Sequence, residues 1–266
     1  MRVINFEDYV ARELVRASFR PQRRGWRSAL LILGLLTVVV AASALFAGQL
    51  IWPAWIFGLL TLAAGLILLS YEWRFKSAGV LRDQLRAGLR GQRRLAELLL
   101  SLDDSYYLIN NLQLPGRADD IDHLVVGPTG IFALETKNHR GRIFWRDEQW
   151  YQAKISRGGR PQPEEPIRDP ARQLKRNVDY LRGCINKTDP ELSRRTRLWI
   201  DGAVVFTHPA VAIDLPPRVK RKLPFPVLRA RDLPAYIRGN KPRQSLSKAD
   251  IREIVSMFSH LEPPRS

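Results

Sequence analysis

"DIDHLVVGPTGIFALETKN", residues 120–138, sets two apolar runs around a Gly-Pro-Thr-Gly turn and therefore reads as a β-hairpin. If the turn is residues 127–130, its centre falls between Pro128 and Thr129, and Asp122 lies directly opposite Glu135. Opposed residues of an antiparallel pair have Cβ atoms roughly 4.5 to 5.5 Å apart and point to one face. Lys137, two residues beyond Glu135, shares that face because strand side chains alternate. A turn of another length would shift the register and separate them. On this register two carboxylates and an ammonium group converge at one end of a hairpin whose other positions are apolar.

Two carboxylates so close repel, and the repulsion raises a carboxyl pKa unless a positive charge lies between them. A divalent cation supplies that charge. Mg²⁺ (or Mn²⁺), held through one or two carboxylates, water and phosphate oxygens, suits two acids on a basic protein. Asp122 and Glu135 are the expected metal ligands. Lys137 could then orient or help deprotonate an attacking water, or stabilise charge on a phosphoryl group, an arrangement suited to metal-assisted phosphodiester hydrolysis. A plainer arrangement has the same spacing: a Glu135–Lys137 ion pair at a strand end, with Asp122 capping a turn. Spacing alone leaves both open.

N-terminal to this hairpin the composition changes character. No Asp, Glu, Lys or Arg occurs between Arg27 and Glu72. The stretch divides into residues 29–47 and 54–71, joined by "GQLIWP", and each part is long enough as a helix to cross a ~30 Å hydrocarbon core. Arg16, Arg20, Arg23, Arg24 and Arg27 precede the first apolar run, Arg74, Lys76, Arg82 and Arg86 follow the second, and the connector is uncharged. The positive-inside rule then puts both termini in the cytoplasm. The expectation is a multi-pass protein of an inner (plasma) membrane, anchored by two helices and their basic flanks. "ASA" at 42–44 resembles a signal-peptidase site, but 28 residues precede the first apolar run and a second follows at once.

The 266-residue chain has a net charge of +17, and residues 72–266 hold 36 Lys and Arg against 23 Asp and Glu. The excess thus extends well beyond the membrane flanks and suits a polyanionic partner, nucleic acid or the anionic inner leaflet. A solvated basic surface following the positive-inside bias would give the same count. A single cysteine, Cys184, excludes an intrachain disulfide and a Cys-rich zinc site. His123, His139, His208 and His260 lack metal-binding spacing, so any metal should be a hard cation held by oxygen.

The chain then divides into a basic N-terminal segment (1–28, with an amphipathic helix at 5–20), two transmembrane helices (29–71), a linker helix (72–87) and a strand-and-helix domain (88–266). Leucines at helical spacing continue the linker helix towards Leu102, with a break near Gly88 and Gly91. Strands are expected at 106–115, 197–208 and 225–228, with a second β-hairpin at 141–155 turning at Arg146 to Glu148. Asp169 as N-cap and Pro170 at the first position start a helix that runs to about Gly183. It carries Leu174, Val178 and Leu181 on one stripe and Gln173, Arg176, Asn177 and Tyr180 on another. Residues 246–260 read as a closing helix. The class is α/β.

The quoted hairpin with its continuation "HRGRI", Trp150 further on and "RDPARQL" at 168–174 resemble the NERD (nuclease-related) domain of the PD-(D/E)XK nuclease superfamily. The core of the match is residues 88–206. The resemblance implies a restriction-endonuclease-like mixed central sheet flanked by helices. Asp122 takes the place of the metal-binding Asp, Glu135 that of the second acid and Lys137 that of the superfamily lysine. Gln173 resembles the glutamine that contacts metal-bound water or phosphate. There is one departure. The first helix of the family carries Gly-x-x-Gly-Glu, whereas residues 88–92 read "GLRGQ", so Gln92 stands where a third acid would complete the metal site, with Glu97 a turn and a half further on.

Two readings follow. One is a membrane-anchored hydrolase cutting DNA, ahead of RNA, at the cytoplasmic face. The other is a catalytically silent module that holds nucleic acid or a protein at the membrane. No base-reading motif is present, so sequence-specific cutting is not expected.

Overall fold

The computed structural model describes residues 1–5, 83, 85–116, 120–156, 159–241 and 245–259, with Gly34 and Val38. The spans expected at 29–47 and 54–71 and the helix expected at 5–20 lie outside the described residues, Gly34, Val38 and Asn5 apart. Among the described residues no helix is long and apolar enough to cross a membrane. One folded unit takes in Met1–Val10 and Ala87–Ser266.

The main sheet of this unit has six strands. They are β1 (Arg2–Asn5), β2 (Tyr107–Gln113), β3 (Asp120–Gly127), β4 (Gly130–Lys137), β8 (Ile200–Phe206) and β10 (Val227–Arg229), in that spatial order. Pairing is parallel at β1–β2, β4–β8 and β8–β10, and antiparallel at β2–β3 and β3–β4. A second sheet runs β7 (Glu165–Ile167), β6 (Gln149–Ala153), β5 (Gly141–Arg146), β9 (Val211–Asp214). The mixed α/β class expected from the sequence is present, with the strands divided between two mixed sheets instead of gathered in one.

Helices close both faces of the main sheet. On one face Leu95 and Leu99 of α1 (residues 85–99) pack against Leu108, Val125, Phe132, Leu134 and Val205. On the other, Leu174, Val178 and Leu181 of α2 (Pro170–Thr188) pack against Leu124, Val126, Ile131, Ala133 and Val204. Alternation along β3 and β4 feeds the two cores in turn, so hairpin residues of both parities are buried and the strands read as nearly continuous apolar runs. Each fully buried Leu, Val or Phe contributes roughly 1.5–3 kcal/mol of transfer free energy. The remaining helices are α3 (Pro190–Arg195), α4 (Pro217–Lys222), α5 (Leu233–Gly239) and α6 (Lys248–Ser259).

Three expectations are corrected. α1 is unbroken from 85 to 99 through both Gly88 and Gly91, because Gly91 serves a close contact there and not a bend. α2 continues past Gly183 to Thr188, since one Gly does not stop a helix whose apolar stripe goes on to Ile185; Asp189 ends it and caps α3 by accepting the Leu192 N–H at 2.8 Å. Asn177, read on the polar stripe, is buried and donates to the Asp120 carbonyl at 3.3 Å. The strands β1, β7 and β9, each of three or four residues, carry too little periodicity to be read from sequence.

Candidate active site

The β3–β4 hairpin has the register read from its sequence: Gly127 pairs with Gly130, Val125 with Phe132 and His123 with Leu134. Gly130, at φ +127°, supplies a backbone conformation that other residues rarely adopt. The turn is held from outside, with Tyr106 Oη 3.0 Å from Thr129 Oγ1 and Asn240 Nδ2 donating to the Thr129 carbonyl at 2.9 Å.

The ladder between β3 and β4 stops at His123–Leu134, one step before Asp122 and Glu135. β3 keeps its pairing with β2 as far as Asp120 with a gap at Asn111 and Asp122, where Asn111 has φ +55°, and β4 keeps its pairing with β8 as far as Lys137. At this fork the Asp122 carboxylate takes over from the missing strand partner. Its Oδ2 accepts the Thr136 N–H at 2.7 Å, and its Oδ1 accepts from Gln92 Nε2 of α1 at 2.9 Å. Glu135, 3% exposed, has its Oε1 2.5 Å from Lys137 Nζ. Lys137 Nζ also donates to Gln173 Oε1 at 3.3 Å. α2 delivers Gln173 because Asp169 fixes the helix start, its Oδ1 accepting the Ala171 and Arg172 N–H groups at 2.9 and 3.0 Å.

The four residues singled out from sequence, Asp122, Glu135, Lys137 and Gln173, are thus brought together by two strands and a helix. The ion pair of the plainer arrangement is there too, and so is a backbone bond to Asp122, although the bond closes a sheet fork and not a turn. Gln92 joins the cluster, where sequence had marked only a missing acid. Glu97 is exposed on α1 and has no hydrogen bond to these residues. Arg168, just before α2, lies near enough for its charge to act on Lys137, and its place beside the "RDP" helix start was the one signal available for it.

The electrostatics follow from burial. Burial first, then the Asp122 charge, pushes the Glu135 carboxyl up to about 8 against the opposing pull of Lys137. Burial works against the Lys137 ammonium, but the charge and hydrogen bond of Glu135, with Asp122, outweigh it and hold the lysine above its usual value. In the metal-free protein Lys137 is therefore held as a cationic hydrogen-bond donor to Glu135 and Gln173. His123, buried on β3 between β2 and β4, is pushed down to about 4 by burial and stays neutral, with Nδ1 2.6 Å from Asn110 Oδ1.

Residues 87–207 match the family model of the nuclease-related domain, NERD. The match runs from the α1 glycines to the strand after α2 and contains every member of the cluster. An uncharacterized protein of Bacillus anthracis is 35% identical over 71 residues, covering 24% of this chain and 34% of that protein. The chain therefore spans about a third of the length of the curated relative it matches. No solved structure matches the chain at a significant level.

Within the matched region, the donor set for a cation is oxygen-rich and small. Asp122 and Glu135 converge, and among the described residues no group of three His, Cys, Asp or Glu side chains forms a metal site. A buried acid whose charge is opposed by its carboxylate neighbour is a group that a cation would relieve, and two carboxylates suffice for Mg²⁺, which keeps part of its water shell. The residues fit such an ion.

Proposed function

We propose that this chain is a membrane-anchored, metal-dependent nuclease acting on DNA ahead of RNA at the cytoplasmic face. The observation that carries the reading is the convergence of Asp122, Glu135, Lys137 and Gln173 at the fork between β3 and β4. Asp122 and Glu135 would hold Mg²⁺ or Mn²⁺, and the ion would supply Lewis-acid polarisation of a phosphodiester.

The chain's own groups do the rest. The Lys137 ammonium, fixed by Glu135 and Gln173, presents positive charge to a phosphoryl oxygen as negative charge develops there. Gln173 holds that ammonium in place through its amide oxygen. The Thr136 N–H and the Gln92 amide keep the Asp122 carboxylate aimed into the fork, so little reorganisation is needed when a cation enters.

Anchorage is supported by the charge-free stretch between Arg27 and Glu72 and by the pairing of β1 with β2. Residues 2–5 and 107–110 lie side by side in one sheet, so the segment between them leaves and re-enters the same folded unit. Any crossing of a bilayer by that segment must be matched by a return, as two spans provide.

One observation favours the silent-module reading: Gln92 occupies the first-helix acid position and donates to Asp122, leaving two carboxylates where three would bind metal more tightly. The full chain in detergent, incubated with plasmid and single-stranded DNA in Mg²⁺, Mn²⁺ or EDTA, separates the two. The nuclease reading expects cleavage that needs metal and falls about 10²–10³-fold in Lys137→Ala. DNA binding without cleavage in any metal would replace it with the binding module.

A further inference from the structure

The parallel strands β4, β8 and β10 end in register, Lys137 beside Phe206 and Phe206 beside Arg229. Two interstrand spacings, roughly 10 Å, separate the first backbone from the third. Ligands of open α/β sheets bind outside the carboxyl ends of such strands. At this edge lies a cavity of about 270 Å³ lined by Arg94 of α1, Arg229 and Arg231 at the end of β10, and Thr207 and His208 after β8.

The lining is one-sided in charge. It holds three guanidinium groups and no carboxylate. Among the described residues neither Arg94 nor Arg229 has an acidic partner, and Arg231 reaches only Asp232 of its own turn, at 3.7 Å. His208 registers the same field: burial, then Arg140 and Arg94, hold it below the usual histidine value. Its Nδ1 accepts the Ala210 N–H at 3.1 Å, which makes Nε2–H the donor of the neutral ring. Three like charges around one cavity repel unless an anion enters, and planar guanidinium forks match phosphate oxygens in pairs.

The cavity is also joined by backbone pairing to the strand that carries Lys137. Thr207, in its wall, donates its backbone N–H to the Lys137 carbonyl at 3.0 Å. Its position is thereby fixed relative to the lysine, through strand pairing and not through a loop.

We infer that this cavity is a phosphate-binding subsite for a nucleic-acid strand, seating a phosphate beside the one presented to Lys137. The inference rests on the nucleic-acid reading above and adds a positioning role for Arg94 and Arg229. Neither residue is asked to touch the bond that is cut.

The test is binding of a fluorescent single-stranded oligonucleotide to the full chain in detergent and EDTA, titrated across KCl. Arg94→Gln/Arg229→Gln should weaken binding about tenfold and flatten the slope of log K against log salt by about 0.7, the value for one phosphate on a single strand. Arg94→Lys/Arg229→Lys, which keeps the charge, should recover the slope. The exposed pair Arg218→Gln/Arg221→Gln on α4 should leave the slope within error. Equal losses in the α4 pair and the cavity pair would overturn the subsite, as would wild-type binding in the Arg94/Arg229 variant. In either case metal-dependent cleavage that is lost in Lys137→Ala would leave the nuclease reading standing. A wild-type chain that neither binds nor cuts nucleic acid would remove both.

Discussion

Gly88→Ala should stabilise the protein, whereas Gly91→Ala, three residues along α1, should leave it unchanged or less stable. Replacing Gly by Ala inside a helix gains roughly 0.8–1 kcal/mol through backbone entropy. At Gly88 an added Cβ meets nothing within 4 Å, so the gain should appear undiminished. At Gly91 it would come 2.7 Å from Thr207 Oγ1 and 2.9 Å from Asn138 Cβ, closer than such atoms can approach. Neither neighbour can step aside freely. Thr207 is 3% exposed, and Asn138 Nδ2 is committed to the Ala87 carbonyl at 2.6 Å. Overpacking of this kind costs about 1–3 kcal/mol, which cancels or exceeds the helical gain. The two variants should therefore differ by about 1–3 kcal/mol, or roughly 2–12 °C in Tm for a unit of this size, with Gly88→Ala the more stable. Thermal unfolding of the full chain in detergent, followed by circular dichroism, gives the comparison. A Gly91→Ala protein as stable as Gly88→Ala would refute the argument that α1 is fastened to the ends of β4 and β8 by a missing side chain.

The metal-free protein should lose stability between pH 6.5 and 8. Glu135, pushed up to about 8 by burial and then Asp122, keeps a proton in the native state that the unfolded chain has released, so stability falls as pH rises and levels off above about 8. His123, pushed down to about 4 by burial, has the opposite slope but only below its unfolded value of 6.5. The loss across the upper window is about 2 kcal/mol, read from urea midpoints in EDTA; a flat or rising profile there would contradict the burial of an acid at this position. Asp169→Ala removes the acceptor for two N–H groups at the start of α2 and should cost about 1 kcal/mol, with Gln173 drawn away from Lys137; an unchanged midpoint would show that Pro170 alone sets the start. A fragment beginning at residue 87 lacks β1, which exposes the β2 edge and removes the bond from Asn110 Nδ2 to Asn5 Oδ1 at 2.6 Å, and it should melt lower and self-associate on size exclusion where the full chain does not.

What could be read from sequence is what repeats over several residues. The hairpin register followed from a four-residue turn bounded by glycine, and strand alternation then put Asp122, Glu135 and Lys137 on one face. The start of α2 followed from an Asp-Pro pair, and its buried stripe from Leu174, Val178 and Leu181. The role of Gly91 was not legible, because a glycine that admits a neighbour and one that breaks a helix have the same local signature; only the position of Thr207, 116 residues away in the chain, distinguishes them. Gln92 showed the same limit. Its distance from Asp122 depends on how α1 crosses the sheet, and no periodicity encodes that crossing.

β1 was missed for a further reason: four residues give no usable alternation. Its pairing is informative because it is parallel and distant, Arg2 with Tyr107 through Asn5 with Asn110. A parallel partner cannot be reached by a turn, so the intervening chain has to travel the length of the strand and come back. Here that excursion includes the whole charge-free stretch between Arg27 and Glu72. The chain that precedes the excursion, β1, and the chain that follows it, β2, are neighbours in the sheet that carries Asp122 and Glu135. Within the sheet Asn5 is bonded to Asn110 and Asn110 to His123, so the pairing of β1 reaches by two hydrogen bonds to the residue next to Asp122.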